Sequence, residues 1–144
     1  MTTQAQLNAL PYGPPLNLDQ AKKMMAAAEA LAKNNNWPVA IVIVDSAADI
    51  VLMQKLDNTQ HSAGEIATGK AMTAVNFRRP TKVFQDGLAA GGDNLRFLKV
   101  PGVMPLEGGF PVVIDGKIVG AIGTSGVLSS QDSQVSMAGL EALK

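Results

Sequence analysis

The chain contains no cysteine. That removes disulfides, thiolate zinc sites, iron–sulfur clusters, c-type haem attachment and a cysteine nucleophile together. It holds a single histidine, His61, so no metal site built from several histidines can form. Aromatic residues are scarce, at 4%, which leaves few stacking platforms. Neither sign of charge is in excess, with 12 Lys and Arg against 12 Asp and Glu. Such a balance argues against the basic footprint of a nucleic-acid binder and against a polybasic membrane patch. No apolar run approaches the roughly 18 residues of a membrane span. The first residues show neither the basic start nor the apolar core of a secretory signal, so a cytoplasmic setting is the expectation.

What is present fits one domain: 144 residues and 15.0 kDa, a size at which folding typically buries roughly 70% of the unfolded surface. Hydrophobic residues reach 47%, yet 20 residues are alanine and 14 are glycine. Much of the apolar content is therefore small, and small residues let backbones approach closely.

Residues 1–15 carry Pro11, Pro14 and Pro15 and read as an irregular arm before a domain at 16–144. Asn17 to Lys33 predicts a helix, with Asn17 and Gln20 spaced as a capping box and Ala21, Met24, Met25, Ala28, Leu31 and Ala32 on one face. Pro38 to Val44 is continuously apolar and β-branched, the pattern of a strand buried on both faces. Ile50 to Leu56 predicts its hairpin partner. Thr59 to Phe77 predicts a second long helix whose Ala63, Gly64, Ala67, Ala71 and Ala74 form a strip of small residues. A short helix follows over Thr81 to Ala89, then a loop-rich stretch to Pro105, a segment suited to mobility or ligand shaping. Asp115-Gly116 joins two apolar strands, Phe110 to Ile114 and Lys117 to Gly123, as a tight hairpin turn. Thr124 to Ser130 reads as a turn, and Gln131 to Leu140 as the last helix. Antiparallel hairpins alternating with helices predict an α+β sandwich.

Two glycine patterns invite cofactor readings. Gly64 to Ala71 almost spells a phosphate-binding loop, but Ala71 stands where the hydroxyl that holds magnesium is needed, and the segment lies inside a helix pattern. Gly120 to Gly126 has Ala121 where the dinucleotide fingerprint needs glycine. No serine sits in a nucleophile elbow. His61 and Glu65, four apart, would share a helix face as a ligand with its orienting carboxylate or as an acid/base pair. Lys70 lies deep in an apolar helix, where a lysine snorkels or finds a carboxylate. Arg78, Arg79 and Arg96 offer forks for carboxylates. Glu107 stands beside Gly108-Gly109, a turn suited to positive φ or to close approach of a ligand.

Taken together, the chain resembles the GlcG/HbpS family of small haem-associated proteins, which includes the C-terminal domain of PduO-type cobalamin adenosyltransferases. The resemblance rests on Leu18 and Ala21, Val39 to Asp45, and Ile66-Ala67 with Lys70-Ala71 and Thr73-Ala74. It continues through Pro80-Thr81, Gly108 to Pro111, Asp115-Gly116, Val119 to Gly123, Ser125-Gly126 and Asp132. It implies a profilin-like α/β sandwich, a central antiparallel β-sheet flanked by helices. It also implies homo-oligomers, tetramers or octamers, and haem as a ligand. Two departures stand out. Ser46 to Asp49 replaces the usual glycine pair of the first hairpin. A histidine ligand on the first helix is missing, which leaves His61, Thr73 or a methionine for haem iron.

Three functional readings follow. The first is a small-ligand-binding protein accessory to a catabolic pathway, its ligand haem or a small organic acid, with His61, Lys70, Thr73, Arg78, Arg96, Gly108 and Gly109 as candidate ligand-binding residues. The second is a cofactor-independent isomerase, hydratase or decarboxylase acting on a small organic acid, with Glu65, Lys70, Glu107 and Asp132 as candidate catalytic groups. The third is a structural subunit without a small ligand.

Overall fold

The computed structural model describes residues 4–144. Its centre is a four-stranded antiparallel sheet, built of β1 (Ala40–Asp45), β2 (Ile50–Lys55), β3 (Gly109–Ile114) and β4 (Lys117–Ser125) in the order β2-β1-β4-β3. The sandwich class expected from the sequence is the one observed. β1 is central because its run of Ile and Val is apolar on both faces, and residues 40–44 are all fully buried.

Helices α1 (Gln4–Ala9), α2 (Leu18–Asn34), α3 (Ala63–Phe77), α4 (Lys82–Ala90) and α5 (Ser129–Glu141) surround the sheet. The α2 cap forms as its spacing predicts: the Asn17 side chain accepts from Gln20 N, and the Gln20 side chain accepts from Asn17 N, both at 2.8 Å. Ala21, Met24, Met25, Ala28 and Ala32 are its buried face. α2 and α5 cover one side of the sheet, against Ile41, Ile43, Val112, Val119 and Ile122. α3 covers the other side, its alanines against Ala40, Val42, Val44, Ile118 and Ala121. Ile118 and Ala121 share a face despite their odd spacing because β4 bulges. Its pairing with β3 jumps from Val112↔Gly120 to Val113↔Ile118, leaving Val119 extra. In the β3–β4 turn both Asp115 (φ 50) and Gly116 (φ 73) are left-handed, as the tight hairpin requires.

Four expectations shift. α3 begins at Ala63 rather than Thr59, because Thr59 Oγ1 donates to Leu56 O at 2.6 Å and holds a turn instead. β4 runs on to Ser125, since Thr124 and Ser125 still pair with Ile41 and Ala40. The stretch after Gly91 contains a 3-10 helix, Gly92–Leu98, with Phe97 edge-on to Phe84 at 5.0 Å. The arm is also less irregular than its prolines suggest. Leu7 is buried, Tyr12 bridges Ile118 in parallel, and the Tyr12 hydroxyl donates to Val75 O at 2.7 Å. Residues 1–3 of the expected arm lie outside the described residues.

Candidate functional site

The alanine strip sets the site. Ala67 and Ala71 bring the α3 backbone against Gly123 of β4, where a Cβ would strike Ala67 O and lie 2.6 Å from Ala71 N. Held this close, Lys70 sends its side chain to the end of β4 and donates to Thr124 O at 2.8 Å. There it meets Asp132, from the first turn of α5 on the opposite side of the sheet, at 3.0 Å. Asp132 is itself fixed, its Oδ1 accepting from Val127 N at 3.2 Å. Lys70 is 1% exposed and Asp132 2%.

Gly108 and Gly109 close the cluster. Gly108 has φ +135, and a Cβ there would fall 2.9 Å from Lys70 Nζ and 2.8 Å from Thr124 O, so the ammonium occupies the space a side chain would need. Gly108 O accepts from Ser136 Oγ at 2.7 Å and from Thr124 N at 3.2 Å. The Ser136 and Thr124 hydroxyls share a bond of 2.8 Å. Gly109 N donates to Thr81 Oγ1 at 2.9 Å, and Thr81 N donates back to Gly109 O at 3.0 Å. At the outer edge, Ser133 Oγ donates to Glu107 Oε2 at 2.8 Å.

Burial pushes the Lys70 ammonium below the usual lysine value, against the pull of Asp132 and, more weakly, Glu107. Burial lifts the Asp132 carboxyl above the usual carboxylate value, against the pull of Lys70. In both groups desolvation outweighs attraction, so the pair is costly to keep charged.

Lys70, Glu107, Asp132, Gly108 and Gly109 are thus brought together. The other candidates lie elsewhere. Thr73 is buried, and its Oγ1 donates to Gly102 O and accepts from Met104 N, both at 2.9 Å, pinning the loop after the 3-10 helix. Arg78 caps α3 in the left-handed region, donates to Leu10 O at 3.1 Å and lies over the Tyr12 ring, 5.7 Å from its centroid. It ties the arm down. Arg96 is exposed on the 3-10 helix. His61 is exposed in the turn before α3, so the shared helical face with Glu65 does not form. Thr81, Thr124, Ser133 and Ser136 complete the cluster, and the sequence pattern does not mark them as its members. Ser and Thr carry no local signal of burial until the partners across the sheet are known.

Two grooves of about 570 Å³ open away from this cluster. One runs along the free edge of β3 and is walled by Phe110, Val112, Val113, Met137, Leu140 and Leu143, with Glu141 and Lys144 among its lining residues. The other lies around Trp37. Among the described residues no group of three or more His, Asp or Glu could hold a metal ion, and no helix is long and apolar enough to cross a membrane.

Residues 16–141 match the family model described as haem degrading protein HbpS-like. Protein GlcG of Escherichia coli strain K12 is 36% identical over 110 residues, spanning 76% of this chain and 81% of that protein. Among solved structures, HbpS is similar at 29% identity with a TM-score of 0.83, covering 95% of this chain and 96% of that one. PduOC, solved as a complex with haem, shares the fold at 24% identity and a TM-score of 0.80, covering 89% of this chain and 94% of that one. The small-residue strip, the glycine turn at Gly108-Gly109 and the sheet order therefore have one common reading: this chain belongs to the HbpS-like family.

Proposed function

We propose that the protein binds a small planar, largely apolar ligand, with haem as the example the family offers, in the groove beside β3, and that it serves a catabolic pathway as an accessory protein. The observation that carries this reading is the groove itself. Its volume falls within the roughly 300–1,000 Å³ usual for small-ligand sites, and its walls are aliphatic or aromatic apart from Glu141 and Lys144. Lys144 and Glu141 are paired at 3.0 Å, and a ligand carboxylate could compete for the Lys144 ammonium. Met137, 37% exposed, offers a thioether of the kind that ligates haem iron. His61 lines neither groove. When bound, haem supplies the redox chemistry; this chain supplies a dry wall, a soft ligand and one cation. The Lys70–Asp132 cluster is a different kind of site. Groups 1–2% exposed cannot meet an organic acid unless the layers part, so the cofactor-independent enzyme reading would need an opening that this conformation lacks.

Titrating haemin into the purified protein tests the proposal. A saturable Soret shift is expected. Met137→Leu, which keeps volume but removes the sulfur, should alter the ligation spectrum and weaken binding about tenfold, whereas His61→Ala should change neither. Absence of any shift sinks the reading, and a shift lost in His61→Ala but kept in Met137→Leu moves the ligand away from this groove.

A further inference from the structure

The second groove, at the C-terminal end of α2 and the end of β2, has a different chemistry. We propose that it binds a neutral, ring-shaped polyhydroxylated ligand, a sugar. Its lining includes Asn36, Trp37, Gln54, Lys55, Asp57 and Asn58. None of these six side chains makes a hydrogen bond or ion pair among the described residues, although the chain's other polar groups are often internally paired. Three carboxamides present donors and acceptors together, the indole N–H adds a donor and the carboxylate an acceptor. Hydroxyls, which both donate and accept, suit that mixture.

Charge narrows the class further. Glu29 and Asp57 face Lys33 and Lys55 around the groove, and Glu29 and Lys33 are paired at 3.1 Å. The lining is neutral, so it selects neither anions nor cations. A phosphate would meet two carboxylates as well as two ammoniums, with no net attraction. A planar apolar ligand would bury the amides without hydrogen-bond partners, which is unfavourable. Trp37 supplies what remains. It is the only tryptophan of the chain, half-buried with part of its side chain against the core, and an aromatic surface can pack on the apolar face of a pyranose. Asn36 and Asn58 flank the groove with φ of 57 and 64, in the left-handed region that asparagine tolerates. The site shares no residue with the β3 groove, so the two proposals stand or fall separately.

Because Trp37 is the sole tryptophan, its emission reports on this groove alone. The test titrates the intact protein with glucose, galactose, mannose and maltose, with glycerol as a polyol lacking a ring. At least one sugar should change the emission saturably, and glycerol should not. Asp57→Ala, at an exposed position, and Gln54→Ala, at a half-buried one whose side chain makes no hydrogen bond among the described residues, should weaken that sugar's binding by tenfold or more while leaving the thermal midpoint nearly unchanged. The inference is overturned if no sugar saturates, if both variants bind like the parent, or if glucose 6-phosphate binds more tightly than glucose.

Discussion

The two faces of the sheet are packed by different means. On the α3 face the contact is backbone against backbone: Ala63, Ala67, Ala71 and Ala74 leave so little between helix and strand that Gly123 touches the helix main chain. On the α2 and α5 face the contact is side chain against side chain, through Met24, Met25, Ile41, Ile43, Ile122 and Val135. A main-chain contact has no side-chain rotamers through which to rearrange, so the α3 face fixes positions. The apolar groove opens where α5 meets the rim of β3, and Leu7 and Val113 of the α3-side core line it together with Met137 and Leu140 of α5. The buried ion pair belongs to the first kind of packing. Lys70 leaves the rigid face and reaches Asp132 on the adaptable one, clamping the two layers at the end of β4.

The largest expected effect comes from cutting that clamp on one side. Lys70→Met leaves the Asp132 carboxylate buried without its partner, and Asp132→Leu leaves the ammonium so. Each should cost about 3–5 kcal/mol in urea unfolding. The double variant Lys70→Met/Asp132→Leu removes both desolvation penalties, and should match the parent or exceed it by about 1–4 kcal/mol. Single variants that lose less than about 1 kcal/mol would show that the surroundings re-solvate the orphaned charge, contrary to a rigid α3 face.

Next in size is a glycine comparison between the faces. Gly123→Ala on the α3 face drives a methyl into the Ala67 carbonyl and should cost about 1–3 kcal/mol or more. Gly139→Ala on α5 meets the Ile122 Cδ1 tip at 2.7 Å and the Met24 carbonyl at 3.2 Å. There a rotamer change can yield space, and alanine gains about 1 kcal/mol of helix propensity, so the net change should be near zero. Equal losses at the two positions, measured by thermal unfolding, would erase the distinction between the faces.

Most of this fold is legible in the sequence where the signal is local. The α2 cap, the Asp115-Gly116 turn, the buried β1 run and the alanine strip each depend on residues a few positions apart. So does the expectation that Lys70 snorkels or finds a carboxylate. Which carboxylate is not local: Asp132 lies 62 residues on, and only the meeting of α3 and α5 around the end of the sheet selects it over Glu65 or Glu107. The start of α3 departs from the sequence pattern for a related reason. Helical periodicity runs back to Thr59, but one hydroxyl bonded to Leu56 O decides against it and takes His61 out of the helix. The arm's docking likewise depends on Tyr12 and Arg78 finding distant partners, which no pattern within residues 1–15 encodes.

The smallest effect is a change in how stability depends on pH. The folded Asp132 carboxyl lies above its ordinary 3.8, so the folded chain holds that proton more tightly than the unfolded chain. The stability this supplies is complete below the unfolded value and is lost as pH rises through the folded one. The folded Lys70 ammonium lies below its ordinary 10.5, so its contribution is complete above that value and is lost as pH falls through the folded one. As pH moves inward from 3.8 and from 10.5, the two contributions diminish. The stability of the parent relative to Lys70→Met/Asp132→Leu should therefore fall on leaving the acid side, pass through a minimum, and rise again toward the alkaline side. Urea midpoints of both proteins across that range give the curve directly. A maximum near neutrality would mean that attraction within the pair exceeds the cost of burying it, and the tight face would then be gaining stability from its charges rather than tolerating them.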